Sequence, residues 1–182
     1  MTGTDHPAFV RRLTQDDWQL LRSTRIAALA QAPEAFGSTL ERELAFSDAI
    51  WQTRCHDGAQ FVAESAGVVR GMASAFHEDG APATEQHLVG LWVAPEHRGR
   101  GIAALLVRAV ADWAADQAGA TRLTLCVADG NDAGSRLYKR LGFMPTGTVE
   151  PLPSDPARTQ VRMSRLLPWQ RDAQADAVIR ST

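Results

Sequence analysis

The segment that most constrains this chain is a buried strand that turns into a strong helix across two glycines. Residues 87–93 form an apolar run of strand length, ended by Ala94-Pro95. Past Arg100 the period changes. Ile102, Leu105, Leu106, Ala109, Val110 and Trp113 fall on one helical face, the clearest amphipathic pattern in the sequence, and Gly119 closes it. A strand feeding a helix in this way predicts an α/β domain.

The flanking segments fit that prediction. Residues 8–13 read as a strand. Thr14, with Asp16 and Asp17, opens a helix that carries Trp18, Leu21, Arg25 and Ala28 and stops near Ala32-Pro33. After a loop over 35–39, a second helix spans 47–54 with Ile50 and Trp51 inward. Strands follow at 61–64 and 69–77 around a turn at 65–67, then a loop at 78–84. Residues 122–127 alternate, with Leu123, Leu125 and Val127 on one face. Asn131 caps a helix with Leu137, Tyr138 and Leu141 inside, and Gly142 ends it. Residues 146–149 and 160–166 form a hairpin pair, with Pro151, Pro153 and Pro156 in the loop between them. The order is βααβββαβαββ around a mixed sheet. One domain is expected over residues 8–167, with terminal extensions at 1–7 and 168–182.

Composition removes several functional classes. With 182 residues, 45% of them hydrophobic and 22% charged, the chain suits one domain with a real core. A net charge of −2 argues against a general nucleic-acid binder. Cys55 and Cys126 form no CxxC pair, and neither they nor the scattered His6, His56, His77 and His97 show metal spacing, so no metal site is expected. Cys126 reads as a small buried filler, and Trp18, Trp51 and Trp92 as core. No signal peptide and no apolar run of membrane length stands out, which predicts a soluble cytoplasmic protein without a membrane partner.

The chemistry points to the turn at residues 93–103. The first N–H groups of a helix lack internal partners and sit at its positive end, which makes an anion site. Gly99 and Gly101 let a phosphate approach the backbone, and Arg98 and Arg100 add charge. No GxxxxGK[ST] is present, and GxGxxG fails, because Ala104 stands at its third glycine.

Arg98-Gly99-Arg100-Gly101-Ile102-Ala103 resembles the Arg/Gln-x-x-Gly-x-Gly/Ala signature of the GNAT superfamily of N-acetyltransferases. Leu91-Trp92-Val93-Ala94-Pro95 resembles the strand before it, and the run from Asn131 through Arg136, Leu137, Tyr138 and Leu141 to Gly142-Phe143 resembles the second motif. The resemblance covers residues 9–166. It implies a three-layer fold, with a mixed, mostly antiparallel sheet of about seven strands flanked by about four helices.

It also implies acetyl-CoA as co-substrate. The diphosphate would lie on residues 98–103, and the pantetheine arm would pair with the main chain of Leu91 and Val93. A strand bulge near Leu91 or Trp92 would free an N–H to polarise the thioester carbonyl. Asn131 would hold the pantetheine arm or act as a helix cap, and Ser135 of the same motif joins the expected cofactor contacts. Tyr138, the only tyrosine, would protonate the leaving thiolate.

For the base, His87 is the first choice and Glu85 the second, with Glu78 and Glu64 behind them. His87, Val89 and Leu91 are expected on one strand face. Ribosomal-protein N-terminal acetyltransferases of the superfamily often have a glutamate where Cys126 stands, which argues against an N-terminal α-amine.

Acceptor specificity is expected from residues 30–54 and from a loop at 150–158. Their carboxylates, Glu34, Glu41, Glu43, Asp48, Glu150 and Asp155, either attract a cationic amine or form a solvated surface. The reading is acetyl transfer to a primary amine of a small molecule. The alternatives are a protein (Lys or N-terminal) acetyltransferase and a non-catalytic acyl-CoA-binding sensor. Pairing through the edge of the terminal strands offers a route to a homodimer.

Overall fold

A computed structural model describes residues 7–168. The expected extensions lie outside the described residues except at Pro7 and Pro168, and so does His6. Seven strands form one sheet in the order β1-β2-β3-β4-β5-β7-β6. They are β1 Phe9–Arg12, β2 Ala59–Ser65, β3 Val68–Phe76, β4 Glu85–Val93, β5 Arg122–Ala128, β6 Met144–Leu152 and β7 Asp155–Leu166. Among the described residues only β4 and β5 pair in parallel, and α4 (Ile102–Asp116) connects them.

Two cores hold the layers together. On one face, α4, α5 (Asp132–Arg140) and the turn after it bury Leu106, Val110, Tyr138 and Phe143 against Leu88, Leu123 and Leu125. On the other, α1 (Trp18–Gln31) and α3 (Asp48–Asp57) bury Leu21, Leu29 and Trp51 against Val62 and Met72. The entry to α1 is fixed by the Asp17 carboxylate, which accepts from the Thr14 backbone N–H at 2.8 Å and from Arg11 at 3.1 Å. Trp51 is fully buried, but Ile50, expected inward beside it, is 41% exposed. Adjacent helical positions lie about 100° apart, and with Trp51 at the centre of the buried stripe of α3, Ile50 falls at its solvent edge.

The structure departs from the expected elements in several places. A fifth helix, α2 (Leu40–Leu44), is capped by Thr39, whose hydroxyl accepts from the Arg42 N–H at 3.3 Å. At one turn it is too short for periodicity to reveal. α4 starts at Ile102, two residues past Arg100, because Gly101 takes the left-handed cap conformation. The hairpin is longer than expected, and only Pro153-Ser154 lie between its strands. Pro151 sits in β6, an edge strand, and Pro156 in the part of β7 beyond its pairing with β5. In both places one side of the ladder is vacant and a missing N–H costs little.

Candidate active site

The site begins at an irregularity in β4. Ser74 pairs with Val89 and Met72 with Trp92, so Ala73 alone stands opposite Gly90 and Leu91. This is a bulge, and Gly90 supplies its positive φ of 66°. A Cβ there would be strained, and it would sit 3.2 Å from Arg25 Nη1. The bulge falls where the sequence expected one and takes one backbone position out of the ladder.

It also overturns the expectation that His87, Val89 and Leu91 share a face. The extra residue reverses the alternation. Leu91 and Val93 join Leu88 on the α4 face, whereas Trp92 turns to α1, where its Nε1–H donates to Gln31 at 2.9 Å. His87 and Val89 stay opposite Leu91 and line a cavity. Spacing alone could not show this, because a single inserted residue inverts every side chain beyond it.

Beside the bulge the sheet opens. β4 and β5 pair from Glu85↔Arg122 to Leu88↔Leu125 and then part, although β4 runs on to Val93 and β5 to Ala128. Ala94 N–H donates to Arg70 of β3, so by alternation the groups of Val93 point to the opposite edge. There Arg98 Nε–H donates to the Val93 carbonyl at 3.0 Å. Arg98 thus braces the strand end, a role the sequence did not assign, and occupies the carbonyl expected to meet a cofactor arm.

Next to it Gly101, at φ 82°, starts α4. The first helical bond there is Leu105 N–H to Gly101 O, which leaves the N–H groups of Ile102, Ala103 and Ala104 without an intrahelical acceptor. Space lies open before Gly99 and Gly101, with no atom within 4 Å of an added Cβ. Exposed amides, bare glycines and a parted sheet fit an extended ligand with an anionic head.

Around the opening, Asn131 Oδ1 accepts from Gly134 N–H at 2.9 Å, so it caps α5. Asn131 and Ser135 also line a recess of about 250 Å³ between α5 and the ends of β5 and β7. Tyr138 is buried in an edge contact with Phe143, with centroids 5.9 Å apart, and burial pushes its phenol well above the ordinary range, so it stays protonated.

His87 is buried against Phe76 at 5.7 Å. Its Nδ1 lies 2.8 Å from Thr124 Oγ1, and that hydroxyl donates to Gln86 O at 3.3 Å. The threonine oxygen therefore accepts Nδ1–H, and Nε2 keeps its lone pair. Glu78 Oε2 stands 3.4 Å from Nδ1 and is gripped by Arg162 at 2.6 and 3.1 Å, which holds its carboxyl below the usual range. Desolvation lowers the imidazole pKa, against the opposing pull of Glu78, so His87 is neutral near pH 7.

Glu85, the second-choice base, begins β4, pairs with Arg122 at 3.7 Å and does not line this cavity. Glu64 accepts from Arg11 at 3.0 Å on the far side of the sheet. Cys126 is half-buried rather than fully buried. It lines the cavity and donates to Glu150 at 3.0 Å, and desolvation together with that carboxylate pushes its thiol up to about 12.

The cavity holds about 590 Å³. Both segments expected to recognise an acceptor reach it, residues 35–54 from the helices and 150–153 from β6 and its turn. Glu34, Glu41, Asp48 and Asp155 are exposed, as the surface reading has it. Glu43 is fully buried. It accepts from Arg25 at 2.9, 3.1 and 3.2 Å and from Arg54 at 3.0 Å. Burial opposes its ionisation, but the two guanidiniums outweigh that and hold its pKa low.

Sequence reasoning missed Arg25, Arg54, Phe76 and Arg162. One signal was available: Arg25 interrupts the apolar face of α1. Among the described residues, no group of three or more His, Cys, Asp or Glu could hold a metal ion, and no helix is long and apolar enough to cross a membrane.

Comparisons with known proteins follow the same outline. The sequence model of the "Acetyltransferase (GNAT) family" matches residues 21–143. N-acetyltransferase family 8 member 2 of Rattus norvegicus is 38% identical over 92 residues, which is 50% of this chain and 40% of that protein. The match thus spans well under two thirds of that relative. A GNAT-family acetyltransferase from Streptococcus pneumoniae superposes with a TM-score of 0.72 at 16% identity, over 89% of this chain and 100% of the other. The spermidine N-acetyltransferase of Vibrio cholerae, solved with CoA and spermine, gives 0.68 at 21% identity, over 87% and 95%. The ribosomal-protein-S5-alanine acetyltransferase of Vibrio fischeri gives 0.71 at 16%, over 90% and 95%. These likenesses show the fold.

Proposed function

Because the chain belongs to the acetyltransferase (GNAT) family, we propose that it moves an acetyl group from acetyl-CoA directly to a primary amine of a small molecule. The observation that carries this reading is the convergence at Gly90 of the strand bulge, the parted β4–β5 edge and the His87 cavity.

Acetyl-CoA, when bound, supplies an activated thioester and a diphosphate. The amides of Ile102, Ala103 and Ala104 receive the diphosphate at the positive end of α4. The backbone at Leu91 offers the N–H that the bulge releases, which stabilises charge on the carbonyl oxygen as the amine adds. His87 Nε2 takes the proton from the attacking amine, while Thr124 and Glu78 hold the ring. The C–N bond forms, the C–S bond breaks, and the Tyr138 hydroxyl gives its proton to the departing sulfur. Burial keeps that phenol protonated at neutral pH until the thiolate forms. Asn131 and Ser135 flank the cofactor arm beside β5.

A recess bounded by helices on one side and strands on the other suits a small acceptor better than an extended protein segment. Thiol release from acetyl-CoA over a panel of amines tests the proposal. Amine-dependent thiol release with a matching acetylated product is expected. Tight CoA binding without turnover of any amine would instead leave a CoA-binding module.

A further inference from the structure

The transfer chemistry needs His87, Tyr138 and the bulge, yet the helical wall of the cavity is cationic. Arg25, Arg42 and Arg54 all line it. Two of them are held in place. Fully buried Glu43 binds Arg25 through Nε and Nη2 and Arg54 through Nη1. Arg25 lies over the Phe36 ring at 4.5 Å, and Arg54 over Phe46 at 5.2 Å and Trp51 at 5.3 Å.

Burying an ionised carboxylate is costly unless it is paired, and a hydrophobic replacement is often at least as stable. What the arrangement provides is position. Two guanidiniums against one carboxylate leave one net positive charge, fixed at the cavity wall. Arg25 is 11% exposed, and its Nη1 reaches the bulge itself, 3.2 Å from where a Cβ on Gly90 would stand. The sheet side is the reverse. Glu78 and Glu150 share Arg162, at 2.6 and 3.6 Å, which leaves one net negative charge near His87.

We infer that the acceptor is an amino carboxylate, an amine with a carboxylate within a few bonds of its nitrogen, and that Arg25 anchors the carboxylate beside the Gly90 bulge. The inference rests on the acetyltransferase reading and narrows its substrate. The carboxylate lies against Arg25, with Arg54 behind it and exposed Arg42 steering it at the rim. The ammonium enters on the Glu78–Glu150 side, where His87 takes its proton. A polyamine, by contrast, would bring a second cation against three arginines.

The test is thiol release by the full chain with L-amino acids, each compared with its amide and its decarboxylated amine. The amide is less basic and the plain amine more basic than the parent, so the two comparators bracket any effect of nitrogen basicity. For the preferred side chain, kcat/KM for the free acid should exceed both by at least about 100-fold. Arg25→Lys keeps a cation beside Glu43 but loses the fork. It should raise KM for the acid by about tenfold and shrink the preference for acid over amide by a similar factor, which a general loss of activity would not do. Amides or plain amines turned over as well as the acids would overturn the inference and leave the acetyltransferase standing. No turnover of any amine by protein that binds CoA would overturn both.

Discussion

Gly90 separates two regions that are built in opposite ways. Toward β5 and α4 the surface is backbone: the bulge, the unpaired edges of β4 and β5, and the amides that follow Gly101. Toward α1–α3 it is side chain: three arginines, Phe76, His87 and two carboxylates on Arg162. A backbone surface recognises what many ligands share, such as a phosphate or an amide. A side-chain surface recognises what distinguishes them. The difference teaches that the proposed cofactor half tolerates change in side-chain identity but not in backbone conformation, and that the acceptor half behaves the other way round.

The largest expected effect is on the side-chain half. Glu43→Ala leaves nearly buried Arg25 and partly exposed Arg54 without their shared carboxylate and, with the Arg54 share screened by solvent, should cost about 2–3 kcal/mol of stability, read as a lower midpoint of urea unfolding. An unchanged midpoint would mean that the arginine pair does not depend on its carboxylate.

His87→Gln follows. Loss of a positioned base should lower kcat/KM by about 100-fold or more, with CoA affinity unchanged. The pH dependence carries the sign. Burial lowers the His87 pKa, so the active neutral form persists through pH 7, and activity should fall only as pH drops through a pKa below 6.5. That acid limb should vanish in the variant; if it persists, another group titrates.

On the backbone half, Gly101→Val meets no neighbour but forces a branched residue to φ 82° at the start of α4. CoA affinity by calorimetry should weaken about tenfold or more, whereas Gly147→Val, at φ 89° and equally open, should leave it intact. Equal losses in both variants would erase the distinction between the two regions. The smallest effect is expected for Cys126→Ala. A thiol pushed up to about 12 is protonated at neutral pH, so turnover should change less than about twofold and iodoacetamide should modify the thiol slowly.

Legibility in the sequence follows the same division. The turn at residues 98–103, the α4 stripe and the cap at Asn131 are local patterns, so they could be read in order along the chain, as could the strand that holds the bulge. The bulge was expected from the resemblance alone, near Leu91 or Trp92, and only the register placed it at Gly90 and Leu91 and showed that His87 and Leu91 face opposite ways. The acceptor wall was only half legible. Both segments were named, but Glu43 passed for a surface charge because its partners lie 18 and 11 residues away.

Residue type and spacing therefore determined on their own that a strand, a glycine turn and a helix follow one another here, since those preferences are set by neighbours along the backbone. Only the tertiary structure decided which charges lose their water. Packing of α1, α2 and α3 over the sheet put Arg25, Glu43 and Arg54 in contact, and desolvation in that contact turned a charged surface into a built cavity wall.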